Sequence, residues 1–345
     1  MKFSEIAKKL PTERVKDNEV FANVVFANVE QAPFDVRGVY MGEDGRYHRM
    51  PLEIAEKVSG GVKNLSTNTA GGRIKFKTNS PYVVVKAKLG KYWHMYHFPA
   101  CGNYGFDVYD GTQYKNTIRP MDRPLEFEGR AWLGEGEHDI TVNMPLYSDV
   151  CEVLIGLAED AEISHAPGYK YENPVVFYGS SITQGGCASR PGMCYQNILM
   201  RKLDFDYINL GFSGSAKAED AIIEYIAGLD MGVFVYDYDH NAPTPEHLAA
   251  THEKMFLAIR EKHPELPVIF MSRPSAIDRK RREIIETTYN NAIARGDKNV
   301  YIVKAAELNK KDGTVDGCHP NDLGFYYMAE DLSPILKRAL EDSEK

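Results

Sequence analysis

The sequence predicts two domains of different architecture: an antiparallel β-sandwich, followed by an α/β domain with three layers (α/β/α) around a parallel sheet. Three observations lead to this prediction. The chain has 345 residues, more than a single hydrophobic core usually organises. Its first half shows short strands with alternating polarity, whereas its second half alternates apolar strands with amphipathic helical stretches.

The strand signals of the first half are short, and glycine, asparagine, aspartate and proline separate them. In "RIKFKT", residues 73–78, Ile74 and Phe76 point to one side and the basic residues to the other. Comparable runs are "YVVVKAKL", "YGFDVYDG", "PLEFEGRAWL", "HDITVNMPLY" and "CEVLIGLA". Alternating strands with turn signals between them are typical of an antiparallel sandwich.

The strands of the second half are apolar throughout, and helical patterns alternate with them. The strand segments are "PVVFYG", "YINLGF", "GVFVYDYD", "PVIFMSRP" and "VYIVKAAEL". The helical segments are "CYQNILMRKL", "AEDAIIEYIAGL", "TPEHLAATHEKMFLAIREKH", "KRREIIETTYNNAIARG" and "DLGFYYMAEDLSPILKRALE". This alternation predicts a parallel sheet covered by helices on both faces. Proline, glycine and asparagine collect in "SHAPGYKYENP", so we place the domains at residues 1–168 and 169–345.

Composition excludes several classes of partner. The formal charge of −8 argues against nucleic acid or an anionic membrane, because both need a basic surface. No apolar run approaches the roughly 18 residues of a membrane span, and the charged first 20 residues do not resemble a secretory signal.

Five cysteines without a CxxC pair indicate reduced thiols, so we expect a cytoplasmic protein. A zinc site from Cys187, Cys194, Cys318 and His319 fits no standard spacing, and homo-oligomerisation is left open.

Residues that could carry chemistry follow the predicted strands of the second half. They are Ser180 and Ser181, Gly214 in "GFSGSAK", Asn241 in "DYDHNAP", and Asp316 and His319 in "DGTVDGCHPND". Ligands of such sheets bind at the carboxyl ends of the strands, so we expect these residues on one rim.

These residue types are the ones that acyl transfer needs. A serine hydroxyl is a weak nucleophile until a base takes its proton, and His319 can serve as that base, with Asp316 orienting its ring. The tetrahedral oxyanion needs donors, each of which lowers the barrier by about 3–4 kcal/mol. The candidates are the backbone N–H groups of Ser181 and Gly214 and the side chain of Asn241. This chemistry requires no metal and no organic cofactor.

The serine is not set in the nucleophile elbow of an ordinary α/β-hydrolase. That motif is G-x-S-x-G, and around Ser181 the position of the last glycine holds Thr183. Asp316 and His319 also share one loop, whereas α/β-hydrolases separate the acid and the histidine along the chain.

The combination resembles the SGNH (GDSL-type) hydrolase superfamily. Its first block, Gly-Asp-Ser followed by Thr and Gly, is similar to "GSSITQG", residues 179–185. The resemblance covers about residue 173 to the C-terminus, with the blocks in the superfamily's order. It assigns the nucleophile to Ser181, the second-block glycine to Gly214, the third-block asparagine to Asn241, and the fifth-block Asp-x-x-His pair to Asp316 and His319.

Two positions depart from the superfamily pattern. The aspartate of the first block is Ser180 here, which removes a packing and hydrogen-bonding element but leaves the nucleophile. The third block, normally Gly-x-Asn-Asp, reads "DHNA" at residues 239–242.

The first half also bears a resemblance that narrows the function. "GFDVY", residues 105–109, is similar to the Gly-x-Asp-Leu-Tyr motif of sandwich domains that precede a branch of these hydrolases. Carbohydrate esterases share this layout of a jelly-roll-like sandwich followed by an SGNH domain, so the resemblance implies a serine esterase that removes O-acetyl groups from sugars through an acyl-enzyme. The substrate would be an oligosaccharide or another small ester. The alternatives are a lipase- or thioesterase-type acylhydrolase and an inactive carbohydrate-binding protein.

Three further residues are candidates for substrate binding. Arg190 in "SRPG" and Arg273 in "MSRP" stand where they could border the pocket, although pairing with surface carboxylates explains them equally well. His240 precedes Asn241 and is more often a packing or surface histidine than a second base.

Overall fold

The computed structural model describes residues 1–10, 23–91, 94–121, 125–274, 278–303 and 311–344. The chain forms two compact units. The first, called here the sandwich unit, comprises residues 1–49, 67–168 and 189–192. The second, called the α/β unit, comprises residues 50–66, 169–188 and 193–345. Neither unit is therefore continuous in sequence.

The strands follow the two patterns predicted for the two halves. The sandwich unit contains β1 (Val24–Asn28), β2 (Asp35–Arg37), β3 (Tyr40–Met41), β4 (Tyr47–His48), β5 (Arg73–Thr78), β6 (Tyr82–Leu89), β7 (Phe106–Asp110), β8 (Gln113–Ile118), β9 (Glu126–Trp132), β10 (His138–Asn143), β11 (Val150–Ala158) and β12 (Ile163–Ser164). The α/β unit contains β13 (Tyr171–Gly179), β14 (Phe205–Gly211), β15 (Val233–Asp237), β16 (Val268–Phe270) and β17 (Val300–Ile302).

The α-helices belong to the α/β unit, except for one short helix of the sandwich unit, α3. They are α1 (Leu52–Val58), α2 (Gly60–Ser66), α3 (Ala100–Tyr104), α4 (Ser181–Gln184), α5 (Tyr195–Leu203), α6 (Asp220–Ala227), α7 (Pro245–Lys262), α8 (Arg279–Ala294) and α9 (Asp322–Ser343). Within the described ranges, none of them combines the length and the apolar character that crossing a membrane requires.

The sandwich unit is built from two antiparallel sheets around a common core. One sheet has the order β1-β11-β6-β9, and the other has the order β12-β5-β10-β7-β8 with β2 also paired to β5. Inward-facing side chains of both sheets form one buried cluster, which includes Val83, Val85, Ile155, Phe76, Ile140 and Val142. The predicted antiparallel sandwich is confirmed.

The α/β unit has a five-stranded parallel sheet in the order β14-β13-β15-β16-β17. Alternate residues of β13 face opposite layers. Val176 and Tyr178 belong to the buried cluster that includes residues of α6, α7 and α8. Phe177 faces the other way and packs edge-to-face against Tyr195 of α5, with ring centroids 5.7 Å apart. The sheet is apolar on both faces for this reason, and the predicted three-layer arrangement is confirmed.

Residues 50–66 also pack with the α/β unit, although they lie in the first half of the chain. Ala55 and Val58 of α1 and Val62 of α2 are buried in the same cluster as Ile222 and Ile226 of α6. The sequence analysis gave residues 1–168 to the sandwich as one block and did not anticipate this excursion.

Three adjacent strands of the parallel sheet end at one level. Gly179, at the end of β13, is in register with Gly211 of β14 on one side and with Asp237 of β15 on the other. The loops that follow these strands therefore leave the sheet side by side, at its carboxyl edge, where ligands of open α/β sheets bind.

Candidate active site

Ser181 is the first residue of the short helix α4, immediately after the turn that follows β13. Ser180 has extended backbone angles and caps this helix, because its Oγ accepts a hydrogen bond from the Ile182 N–H at 3.2 Å. The two serines thus have different tasks. Ser180 terminates the strand and starts the helix, whereas the half-buried Ser181 directs its hydroxyl to another loop.

That loop is the one between β17 and α9. The Oγ of Ser181 lies 2.9 Å from Nε2 of His319, and Nδ1 of His319 lies 2.8 Å from Oδ2 of Asp316. The other carboxylate oxygen, Oδ1, accepts the backbone N–H groups of Cys318 at 2.9 Å and of His319 at 2.7 Å. The structure therefore brings the predicted serine, histidine and aspartate into one hydrogen-bonded chain.

The surroundings of Asp316 keep it ionised. Partial burial acts to raise the pKa of this carboxyl, but the hydrogen bonds from the His319 ring and from two backbone N–H groups outweigh burial and lower the pKa to about 2. Because an ionised carboxylate can only accept, Nδ1 of His319 carries the hydrogen. Nε2 then has a lone pair free to accept the hydroxyl proton of Ser181, which is the tautomer that a general base requires.

Gly214 lies in the loop after β14. Its φ of +66° is a left-handed conformation that glycine adopts at no steric cost, and a Cβ there would meet nothing within 4 Å, so backbone geometry and not space requires glycine. Among the described residues, the Gly214 N–H has no protein acceptor. It is available to an external oxygen atom.

Asn241 lies in the loop after β15 and contacts the loop that carries Gly214. Its Nδ2 donates to the carbonyl oxygen of Phe212 at 3.0 Å. A carboxamide nitrogen carries two hydrogens, so this contact uses only one of them. The loops that carry Gly214 and Asn241 thus follow β14 and β15, which lie on either side of β13, the strand that precedes Ser181. The ends of these three strands are in register.

A buried carboxyl that the sequence analysis did not single out lies at the end of β15. Asp237 accepts the hydroxyl of Thr183, a residue of α4, and faces the backbone N–H of Ser180. Burial, together with the charge of Asp239, raises the pKa of Asp237 to about 8, although these two donors act in the opposite direction. The sequence does show an acidic residue at the end of an apolar strand. The contact of this residue with α4, however, depends on the register of the strands and could not be predicted from the sequence.

His240 and Arg273, two of the candidates for substrate binding, are both held by Asp239. This almost fully buried carboxylate accepts the Ser272 hydroxyl at 2.6 Å and the Arg273 backbone N–H at 3.2 Å, and its Oδ2 lies 3.1 Å from Nδ1 of His240. The guanidinium of Arg273 extends to Sγ of Cys318, at 3.4 Å. Arg273 therefore lies beside the loop of His319, whereas a contact of His240 or Arg273 with substrate stays a prediction.

Arg190, the third candidate, belongs to the sandwich unit. Its Nε lies 3.6 Å from a carboxylate oxygen of Asp107, its Nη2 donates to the hydroxyl of Tyr109 at 3.2 Å, and its guanidinium stacks on Tyr114 at 4.1 Å. Asp107 and Tyr109 are the acidic and aromatic residues of "GFDVY". The pairing is with a buried carboxylate and not with a surface one, and a contact of Arg190 with substrate stays a prediction.

Among the described residues of the α/β unit, Cys187 and His319 lie close enough to share a metal ion. Sγ of Cys187 and a ring nitrogen of His319 lie within 4.8 Å of each other. Both ring nitrogens of His319 are already engaged, one with Ser181 and the other with Asp316. A metal would have to displace one of these partners.

The unit that carries the site is built on a parallel α/β/α sheet, and comparison with known proteins gives the family. Residues 172–337 match the GDSL-like lipase/acylhydrolase family, and residues 24–163 match the GxDLY family, the N-terminus of SGNH-hydrolase-type esterases. The chain belongs to this family of SGNH-type hydrolases and is a carboxylic ester hydrolase. No curated protein matches the sequence.

Solved structures share the fold over nearly the whole chain. A GDSL-like lipase candidate from Bacteroides ovatus is 28% identical with a TM-score of 0.83, and the alignment covers 92% of this chain and 98% of that one. The salicylyl-acyltransferase SsfX3 of a tetracycline biosynthetic pathway is 19% identical (TM-score 0.73, 90% and 96% covered). A family two carbohydrate esterase from Cellvibrio japonicus is 10% identical (TM-score 0.65, 92% and 98% covered).

Proposed function

We propose that this protein is a serine esterase that removes small acyl groups, most of all O-acetyl groups, from carbohydrates. The observation that carries the proposal is the hydrogen-bonded chain from Ser181 through His319 to Asp316. The ionised Asp316 accepts the hydrogen of Nδ1, so Nε2 of His319 faces the Ser181 hydroxyl as an acceptor.

In the acylation step, Oγ of Ser181 attacks the carbonyl carbon of the ester while Nε2 of His319 takes the hydroxyl proton. The backbone N–H groups of Ser181 and Gly214 and the second N–H of Asn241 stabilise the oxyanion. The intermediate collapses by breaking the bond between the carbonyl carbon and the alcohol oxygen. His319 gives its proton to that oxygen, so the sugar hydroxyl is released and the acyl group stays on Ser181.

In the deacylation step, a water molecule replaces the alcohol. His319 takes a proton from the water as its oxygen attacks the acyl carbon, and the same donors stabilise the second oxyanion. Collapse breaks the bond to Oγ of Ser181, and His319 returns the proton to this oxygen. The products are the carboxylic acid and the free enzyme.

The choice of a sugar ester is supported by the combined layout of the chain. Several structural neighbours that share both units are family two carbohydrate esterases, and another is an acetyl xylan esterase from Butyrivibrio proteoclasticus. The structure of the Clostridium thermocellum enzyme contains cellohexaose. A carbohydrate ester is consistent with the formal net charge of −8, which does not favour an anionic substrate.

Acetate release from a panel of acetylated oligosaccharides tests the substrate class. We expect rapid release from at least one acetylated sugar, together with a steep fall in kcat/KM from acetyl to octanoyl in a series of nitrophenyl esters. A maximum at long chains and no acetate from any sugar would instead identify a lipase-type acylhydrolase. Binding of the sugars without any turnover would identify an inactive carbohydrate-binding protein.

Substitution of the two neighbouring serines tests the mechanism. Ser181→Ala should lower kcat by on the order of 10⁴- to 10⁶-fold, as loss of a serine nucleophile does elsewhere. Ser180→Ala is the matched control, since it removes only the helix cap and should cost about 1 kcal/mol of stability while leaving the enzyme active. Full activity in Ser181→Ala would refute the mechanism, as would a rate that does not change from about pH 5 to 8, where a histidine base gains its proton.

A further inference from the structure

Gln184, the last residue of α4, is a fully buried glutamine on the helix that begins with Ser181. Burying a carboxamide is unfavourable unless its polar atoms find partners, so its contacts indicate why it is there. Its Oε1 accepts the backbone N–H of Ser213 at 3.0 Å. Ser213 immediately precedes Gly214, whose N–H is one of the proposed oxyanion donors.

The backbone of α4 is locked to strand β14 by further contacts. The carbonyl oxygen of Thr183 accepts the side-chain amides of Asn209 and of Gln196, each at 2.7 Å. The end of β14 approaches so closely that a Cβ on Gly211 would lie 2.2 Å from the backbone nitrogen of Gln184. These contacts hold α4, the helix that carries Ser181, in place against β14. The backbone from which the Gln184 side chain extends is therefore held as well.

The turn that carries Gly214 is held from two sides. The Ser215 N–H closes the turn onto the Phe212 carbonyl at 2.9 Å, and Asn241 donates to the same carbonyl. These contacts hold the first residue of the turn. Gln184 holds the second, the peptide N–H that directly precedes the glycine.

We infer that Gln184 is a positioning residue for catalysis: it fixes the Gly214 N–H relative to Oγ of Ser181 by holding the Ser213 amide from the nucleophile helix. A donor in an oxyanion hole acts only where the oxyanion forms, so its position matters as much as its presence. A displacement of about 1 Å at such a site can lower the rate by about 10²-fold. The inference rests on the proposed function, because it assigns a task within the same site.

The hydrogen-bond acceptor of Gln184 can be removed while the length of the side chain is kept. Gln184→Met keeps a long unbranched side chain without the oxygen, and it should lower kcat for nitrophenyl acetate by about 10- to 100-fold while KM changes little. Gln184→Glu retains an acceptor at the same place and should restore most of the lost kcat. Asn197→Leu is the matched control, since it removes another buried amide acceptor, the partner of the Tyr207 hydroxyl at 2.9 Å, and should lower stability without lowering kcat.

The same hydrogen bond can be removed from its other end. Ser213→Pro deletes the donor, and proline suits this position because a left-handed residue follows it, as in a type II turn. We expect Ser213→Pro to reproduce the kcat loss of Gln184→Met, and it decides the question if Gln184→Met does not fold.

Wild-type kcat in Gln184→Met or Ser213→Pro would overturn the inference, as would equal losses in Gln184→Met and Gln184→Glu. These failures are distinct from failure of the proposed function, which would appear as activity in Ser181→Ala.

Discussion

The two units bury carboxylates in opposite surroundings. Asp107 in the sandwich unit is completely buried and accepts the side-chain amide of Asn143 and the backbone N–H of Gly192, each at 2.7 Å, with the Arg190 guanidinium as an adjacent cation. Asp237 in the α/β unit is also buried, but among the described residues no lysine or arginine pairs with it.

The difference shows what each carboxylate does. A buried carboxylate with an adjacent cation and several donors ties chain segments together, as Asp107 does for residues 189–192. A buried carboxyl that has only neutral donors retains its proton, as the pKa of about 8 for Asp237 indicates. Asp316 is a third case, because its partial exposure and three hydrogen bonds keep it ionised at the surface.

The largest predicted effect is a loss of kcat on removing the charge of the exposed carboxylate, Asp316. Asp316→Asn removes the charge that fixes the imidazole tautomer, and kcat should fall by about 10⁴-fold, as the same change does in serine proteases. Asp312→Asn, on the same loop, is the control and should leave kcat unchanged. Steady-state kinetics on nitrophenyl acetate measures both, and a loss below about tenfold in Asp316→Asn would contradict the orienting role.

The next effect concerns the stability of the sandwich unit. Asp107→Ala leaves the Gly192 N–H without its acceptor and the Arg190 guanidinium without its adjacent carboxylate, so the free energy of unfolding should fall by about 3–5 kcal/mol. Asp35→Ala is the control, because Asp35 pairs with Arg37 at 2.8 Å where both side chains are 31% exposed, and such pairs contribute about 0–1 kcal/mol. Equal losses in denaturant unfolding would show that Asp107 is not an anchor.

A change in the pH dependence of stability should follow from Asp237→Asn. The folded pKa of about 8 lies above the ordinary value of 3.8, so between these values the unfolded chain releases a proton that the folded protein retains. Asp237 therefore lowers stability as the pH rises through this window, by at most about 1.4 kcal/mol per pH unit.

The Asp237→Asn variant should remove this dependence. Its thermal midpoint should therefore rise relative to that of the wild type as the pH increases from 4 to 9. Parallel curves for the two proteins would mean that Asp237 is already ionised in the folded state. Asn retains an oxygen that can accept the Thr183 hydroxyl, so the comparison isolates the effect of the proton.

The smallest effect should come from a surface carboxylate. Asp220 pairs with Lys254 where the two side chains are 83% and 54% exposed. Solvent and salt screen such a pair, so Asp220→Ala should leave the thermal midpoint and kcat unchanged within error. A clear loss of stability would show that exposure is a poor guide to the role of carboxylates in this protein.

The amino-acid sequence was informative where the signal is local. Alternating polarity in segments such as residues 73–78 predicted antiparallel strands, and continuous apolar runs such as "PVVFYG" predicted a parallel sheet. The spacing of Asp316 and His319 on one loop also predicted that they would be neighbours, which they are. Their catalytic roles, like that of Ser181, remain predictions for the experiments above.

The sequence was less informative where partners are distant. Arg190 could border the substrate pocket or pair with a surface carboxylate, and nothing in consecutive residues indicated that its partners Asp107, Tyr109 and Tyr114 lie about 80 residues earlier in the sandwich unit. Residues 50–66 likewise carry a helical apolar face that could have packed in either unit, and the buried cluster shows that it packs on α6. Periodicity indicates that a face is apolar, but not what covers it.

The sequence by itself therefore determined the two architectures, the family and the candidates for nucleophile, base and acid, because hydrophobic period and short motifs are written in consecutive residues. Only the tertiary structure decided which groups support them. The parallel register brings the ends of β13, β14 and β15 to one level, and this register is what lets Gln184 reach Ser213 and Thr183 reach Asp237. Burial then sets the protonation of Asp237, because the free energy of an ionised group depends on its surroundings and not on its place in the chain.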